Sequence, residues 1–173
     1  QSAETIERDL VTWPEMPNRF SRYVDESWRG KAPGTHGMQP RLRHMFDRLQ
    51  IDLRETPASN LVFVRSTSEA DLALEKERLI RICWPVHQAV IDNLNVKTIL
   101  CLGNTAGRWV REVVGAAELI GSFRESNARG WMSEAHAGKD GRAVVTVTHP
   151  GRVDWRNPAA DPTPLVRRIL GRS

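Results

Sequence analysis

Four groups of residues have types and spacings that chemistry can use. Cys83 and His87 stand four apart in a segment of helical pattern, which puts both side chains on one helix face, as two metal ligands would be. Gly103-Asn104-Thr105 leads from an apolar run into a second helical pattern, a turn whose backbone N–H groups could cradle a phosphate. His149 lies immediately past the carboxyl end of RAVVTVT (142–148), and Asn60 opens SNLVFVR (59–65). In open α/β sheets, ligands gather beyond the carboxyl ends of the strands. The fourth group is basic. Residues 28–48 carry Arg29, Lys31, Arg41, Arg43 and Arg48 against Asp47 alone, and residues 124–173 hold nine Lys/Arg against five Asp/Glu. That second segment accounts for the whole net charge of +4. If the fold joins the two segments, they make a surface that attracts a phosphate backbone; otherwise they are scattered, solvated arginines.

Composition narrows the choice. Two cysteines, Cys83 and Cys101, are too few for a disulfide framework or a four-cysteine site, and the reading is two buried thiols with no metal and no cofactor. The LGNTAG turn has neither GxGxxG nor GxxxxGK, which sets aside a nucleotide-binding enzyme. A chain of 173 residues, 40% hydrophobic and 27% charged, fits one globular domain over 1–173. No run approaches the ~20 apolar residues of a membrane span. Residues 1–10 are polar and acidic, without the apolar stretch of a secretory signal. A cytoplasmic protein without membrane partners is the expectation.

The elements that must position these residues follow from periodicity. Residues 1–30 read as irregular, with a short helix around 15–27. Leu42, Met45, Phe46 and Leu49 recur at helical spacing over 38–49. Residues 59–65 read as a buried strand, and 69–95 as a helix carrying Leu72, Leu79, Ile82, Val86, Val90 and Leu94, kinked or divided at Pro85. KTILCL (97–102) is a second strand, followed by a helix over 106–114. Strands over 118–123, 131–137 and 142–148 and a final helix over 164–170 complete the chain. Buried strands alternating with long helices predict an α/β fold, a three-layer α/β/α sandwich with a mainly parallel central sheet.

Four segments resemble, in order, motifs of the uracil-DNA glycosylase superfamily. APGTHGMQ (32–39) is similar to its PG-x-HG-L stretch, and SNLVFVRS (59–66) to the strand that supplies its pyrimidine-reading Asn. TILCLGNTAGRWV (98–110) is similar to its strand, LG-x-x-A turn and helix, and THPGRVDWRNP (148–158) to its closing HPS-type motif. The resemblance implies capture of a uracil flipped out of single- or double-stranded DNA, with hydrolysis of its glycosidic bond if the chain is active. Asn60 would read the base, since an amide offers a donor and an acceptor side by side. His149 would donate a hydrogen bond to the anion forming on the base, and His36 would line the pocket. On this reading Asn60, His36 and His149 converge on one concave site. The loop after His149 would enter the minor groove, where an apolar residue wedges into the gap left by the base; Arg152, Val153 and Trp155 occupy that loop and would contact DNA, with Arg156 on a phosphate. Arg29 and Lys31 would add phosphate contacts.

Each residue also has a plainer reading. Asn60 could bond its own turn, His36 its own loop, and His149 could be structural. The family's front motif, which positions the attacking water, has no equivalent in residues 1–31; Asp25 is the first residue to consider in that role. Either residues upstream of Gln1 carry the motif or it has been lost. The resemblance therefore leaves two functions, a DNA N-glycosylase and a catalytically silent base-binding module. A third reading, a protein-interaction subunit, would use the six tryptophans as interface anchors. A monomer is expected.

Overall fold

The structure, a computed structural model, describes residues 20–64 and 70–171. In chain order its elements are helix α1 (Gln39–Leu49), helix α2 (Lys76–Asn93), strand β1 (Thr98–Leu102), helix α3 (Asn104–Val113), strands β2 (Ala116–Arg124), β3 (Met132–Gly138) and β4 (Ala143–Val147), and helix α4 (Thr163–Ile169). Short 3-10 turns lie at Ala70–Leu72 and Pro158–Ala160. The described residues form two compact units. One comprises Phe20, residues 57–64 and residues 70–94; the other comprises residues 21–56 and 95–171.

The smaller unit departs from expectation in two ways. The described part of the predicted strand, residues 59–64, is irregular; Arg65 lies outside the described residues. Its backbone bonds to side chains of α2 instead of a sheet. The Phe63 N–H donates to Cys83 Sγ at 3.4 Å, and the His87 Nε2–H donates to Leu61 O at 3.1 Å. Helix α2 runs unbroken through Pro85, where the missing N–H removes one helical bond without ending the ladder. Its buried residues are Ile80, Cys83 and Ile91, whereas Ile82, Val86, Val90 and Leu94 are exposed.

The larger unit is mixed α/β around a four-stranded sheet of order β1-β4-β3-β2. Only β1 and β4 pair in parallel, with Leu102 opposite Val147; β3 pairs antiparallel with both β4 and β2. The expected mainly parallel sheet is thus a mixed one. The reason is two hairpin turns. Lys139-Asp140-Gly141 closes β3 onto β4, with Asp140 Oδ1 accepting the Arg142 N–H at 3.0 Å, and Asp-Gly is a strong hairpin dipeptide. The segment 125–131 returns β2 onto β3. Part of the predicted helix over 15–27 lies outside the described residues, and 22–25 form turns.

Alternation along the strands sorts their side chains onto two faces. Val145, opposite Ala135 and through it Gly121, looks toward α1 and α4. Here Leu42, Met45, Phe46 and Leu49 of α1, the predicted apolar face, join Val145, Val147, Ala135, Leu165 and Val166 in the core. Asp161, 3% exposed, ties the two helices: its carboxylate accepts from Arg48 Nη1 at 2.9 Å and meets His44 Nε2 at 3.2 Å, and it caps the start of α4 through the Thr163 N–H at 2.9 Å. The opposite face carries Thr146 and Glu134, and α3 packs there. Arg111 of α3 reaches Glu134 at 3.7 Å.

Helix α3 approaches so closely because residue 107 is glycine. A Cβ built on Gly107 would overlap the Thr146 side chain, and no staggered rotamer of Thr146 removes its own Cβ from the contact. Gly107→Ala is therefore expected to lower the unfolding free energy by about 1–3 kcal/mol through overpacking. The added Thr146→Ala change should recover part of the loss in a double-mutant cycle read by denaturant unfolding. Strict additivity of the two changes would show that the helix does not rest on Thr146.

Candidate functional site

Parallel pairing of β1 with β4 ends both strands at one edge of the sheet. The Gly103 N–H still donates to Val147 O at 2.8 Å, after which the chain turns at φ +102 into α3. L-residues rarely adopt that φ. A Cβ at Gly103 would also lie 3.4 Å from His149 Cβ, so the glycine supplies both the turn and the space for the histidine. The N-terminus of α3 and His149 are thereby neighbours beyond the carboxyl ends of two parallel strands, the position where α/β sheets bind ligands.

His149 is partly buried, and Pro150 beside it is fully buried. A tight turn follows, with the Arg152 N–H on His149 O at 2.9 Å and the Val153 N–H on the same oxygen at 3.2 Å. The Gly151 N–H donates to His149 Nδ1 at 2.9 Å. A nitrogen that accepts carries no proton, so a neutral ring here holds its hydrogen on Nε2. One residue earlier, Thr148 Oγ1 is buried with no hydrogen-bond partner among the described residues.

The loop after His149 is built differently from a groove-entering wedge. Val153 and Trp155 are both 0% exposed and belong to the core cluster; the Trp155 Nε1–H donates to Thr148 O at 3.1 Å. Their assignment to DNA is corrected: both side chains face inward and hold the loop to the sheet. Arg152 and Arg156 are exposed. Arg156, however, grips Asp154 through Nε at 2.8 Å and Nη2 at 2.7 Å. Those bonds, with the nearby Arg41 charge, hold the Asp154 carboxyl down at about 2, and Arg156 spends its fork on its own loop.

His36 belongs to the same unit as His149. Its N–H donates to Gln39 Oε1 at 3.1 Å, while Gln39 Nε2 donates to Arg22 O at 2.9 Å and Glu26 O at 2.8 Å. Gln39 is fully buried and so staples the 32–39 stretch to the turns at 22–26. Two residues on, Arg41 donates to Pro150 O and lies 3.8 Å from Asp154. The two basic segments of the sequence meet at this arginine. Arg29 and Lys31 are exposed on the 27–31 turn, closed by the Lys31 N–H on Trp28 O at 3.1 Å.

Asn60 belongs to the smaller unit, where it is exposed on the irregular segment 59–64 and not at a strand start. Its neighbour Ser59 meets His87 Nδ1 at 3.3 Å. Cys83 and Cys101 are free and buried, as expected, and burial pushes the Cys101 thiol up to about 12. Among the described residues no group of three or more His, Cys, Asp or Glu could hold a metal, and no helix is long and apolar enough to cross a membrane. Asp25 accepts from Arg54 at 2.7, 3.1 and 3.2 Å and from the Ser21 N–H at 2.9 Å. The Arg54 bond keeps its carboxyl below the ordinary range, which suits a structural tie better than a base.

The sequence shows Arg41 only as one of the basic residues of 28–48, and it singles out neither Gln39 nor Asp154. The signal for those two is their place inside the segments 32–39 and 148–158, since a buried glutamine is recognised by its partners and not by its neighbours in sequence. No family model, curated protein or solved structure matches the chain.

The burial of Trp155 makes a direct test. Trp155→Ala is expected to cost about 3–5 kcal/mol of unfolding free energy. Trp155→Phe should cost about 1–3 kcal/mol by leaving the Thr148 carbonyl unpaired. A surface wedge would instead change stability by no more than about 0.5 kcal/mol, which urea unfolding distinguishes.

Proposed function

We propose that the protein captures a uracil-type nucleobase from DNA at the carboxyl edge of its sheet, as a member of the uracil-DNA glycosylase superfamily in fold. The observation that carries this reading is His149, set beside the Gly103 turn with its Nδ1 accepting the Gly151 N–H. A neutral imidazole donor, held by backbone geometry next to a helix N-terminus, suits a carbonyl oxygen that gains negative charge, because both groups stabilise an anion. The resemblance of residues 98–110 and 148–158 puts the pyrimidine O2 opposite that donor. His36 would line the pocket, and for Asn60 the resemblance of residues 59–66 alone assigns a base-reading role. The three-layer arrangement of the superfamily is part of the reading, supported by α1 and α4 against one face of the sheet and α3 against the other.

Binding without turnover is the version that the residues favour. Cleavage through a cation-like sugar needs a placed water and a carboxylate to hold it, and Asp25 is committed to Arg54. Among the described residues the pocket then supplies stabilisation on the base alone. Phosphate contacts are assigned to Arg29, Lys31 and Arg152, with Arg156 contributing only when Asp154 releases it.

A cleavage assay on uracil-containing single- and double-stranded DNA, run beside a binding titration of the same preparation, tests both halves. Binding with no product is the expected result, and multiple turnover would refute the silent assignment. If the parent does cleave, His149→Ala should slow base release by roughly two to three decades, the effect of losing one oxyanion donor, and Asn60→Asp should blur base choice. Indifference to both changes would remove the superfamily reading.

A further inference from the structure

The turn between β2 and β3 is more than a connection. Glu125 follows β2 with its side chain wholly buried, although a carboxylate is costly to bury unless paired. Its Oε2 accepts from Asn127 Nδ2 at 2.9 Å and forms an ion pair with Arg129 Nη2 at 3.2 Å. The Arg129 N–H donates in turn to Asn127 Oδ1 at 2.9 Å. These bonds fix the Arg129 guanidinium, which lies 5.0 Å from the centre of the Trp131 ring and 3.5 Å from Arg152 O. The Ser126 N–H anchors the same tip to Ala159 O at 2.9 Å.

What this anchored tip presents is an indole. Trp131 is 40% exposed, in contrast to the fully buried Trp155, and Arg124, Arg129 and Arg152 around it are exposed as well. Because β2 runs in the direction of β4, the tip stands at the same sheet edge as His149. Ser133, two residues past Trp131, accepts the Thr148 N–H at 3.2 Å. An aromatic face braced by arginine and rimmed by positive charge fits the stacking platform of a single-strand site, where base–aromatic contact supplies affinity and arginines track the phosphates.

We propose that Trp131, held by the Glu125–Arg129 pair, stacks on an unpaired base of single-stranded DNA whose backbone passes Arg124 and Arg152 toward the His149 edge. This deepens the base-capture reading and rests on it for the identity of the strand. The test is a fluorescence-anisotropy titration of the full chain with labelled oligo(dT) and with an abasic strand of equal length. Trp131→Ala is expected to weaken oligo(dT) binding about tenfold, within the range for losing one stacked base. Trp131→Phe should stay close to the parent, and neither change should alter binding of the abasic strand. Trp131→Ala should leave the salt response unchanged, whereas Arg152→Gln should flatten it by about 0.7 unit of slope, the single-strand value for one phosphate contact.

Parental affinity of Trp131→Ala for oligo(dT) would overturn the proposal, as would an equal loss on the abasic strand, which would mark a merely structural tryptophan. Unaltered binding by Trp131→Ala together with loss of uracil recognition in His149→Ala would sink the stacking site and leave base capture standing. Stacking lost in Trp131→Ala, with no response of the parent to uracil, would support the strand site and remove the capture reading. A parent that binds no single strand would overturn the stacking site, and base capture would then stand or fall on the duplex titration.

Discussion

The parallel register of β1 against β4 is the constraint on which the rest of the larger unit depends. With Leu102 opposite Val147, the two strands finish level, and the next residue of each must leave the sheet in the same place. One exit is the glycine turn into α3; the other is His149 and its tight loop. A one-residue slip would move each strand's side chains to the opposite face, setting Thr146 against the α1–α4 core and Val145 against Gly107. Packing on both faces therefore holds the register, and the register makes His149 and the α3 N-terminus neighbours.

Buried polar residues do the second part of the positioning. Gln39 joins the His36 turn to residues 22–26, Asp161 joins α1 to the start of α4, and Glu125 fixes the β2–β3 tip. Each is nearly or wholly buried and each satisfies several donors or acceptors in loops. Loops closed only by apolar contact have no preferred angle, whereas a bonded amide or carboxylate admits few arrangements. Arg41 adds the contact between α1 and the loop after His149. The edge of the sheet is thus lined by loops that are individually pinned, as a preorganised binding site requires.

How far the sequence foretold this depends on which distances were involved. The apolar face of α1 was legible because helical spacing is a local property, and so were β1, β4 and the turn between β1 and α3. His149 at the end of β4 was legible for the same reason. The sheet's direction was misjudged although its signal was present, since Asp140-Gly141 marks a hairpin and a hairpin forces antiparallel pairing. Residues 59–64 looked like a strand because β-branched and aromatic residues crowd there, yet their backbone finds partners on Cys83 and His87, a non-local solution that no window of sequence contains. Val153 and Trp155 suggest DNA contacts for a related reason: an apolar residue in a loop has the same local pattern whether it faces solvent or plugs a core. Trp131 is the converse case, the first residue of a predicted strand, which the hairpin leaves at the surface.

The central claim is that His149 receives the base through Nε2. Histidine nitrogen NMR of the uniformly labelled chain, with His149 assigned by its loss in His149→Ala, measures this most directly. In the free protein the His149 ring should show an unprotonated Nδ1 and a protonated Nε2, and addition of a uracil-containing single strand should shift the Nε2 signal as it takes up a new acceptor. The opposite tautomer, or a His149 ring whose signals stay in place while the strand binds, would contradict the account.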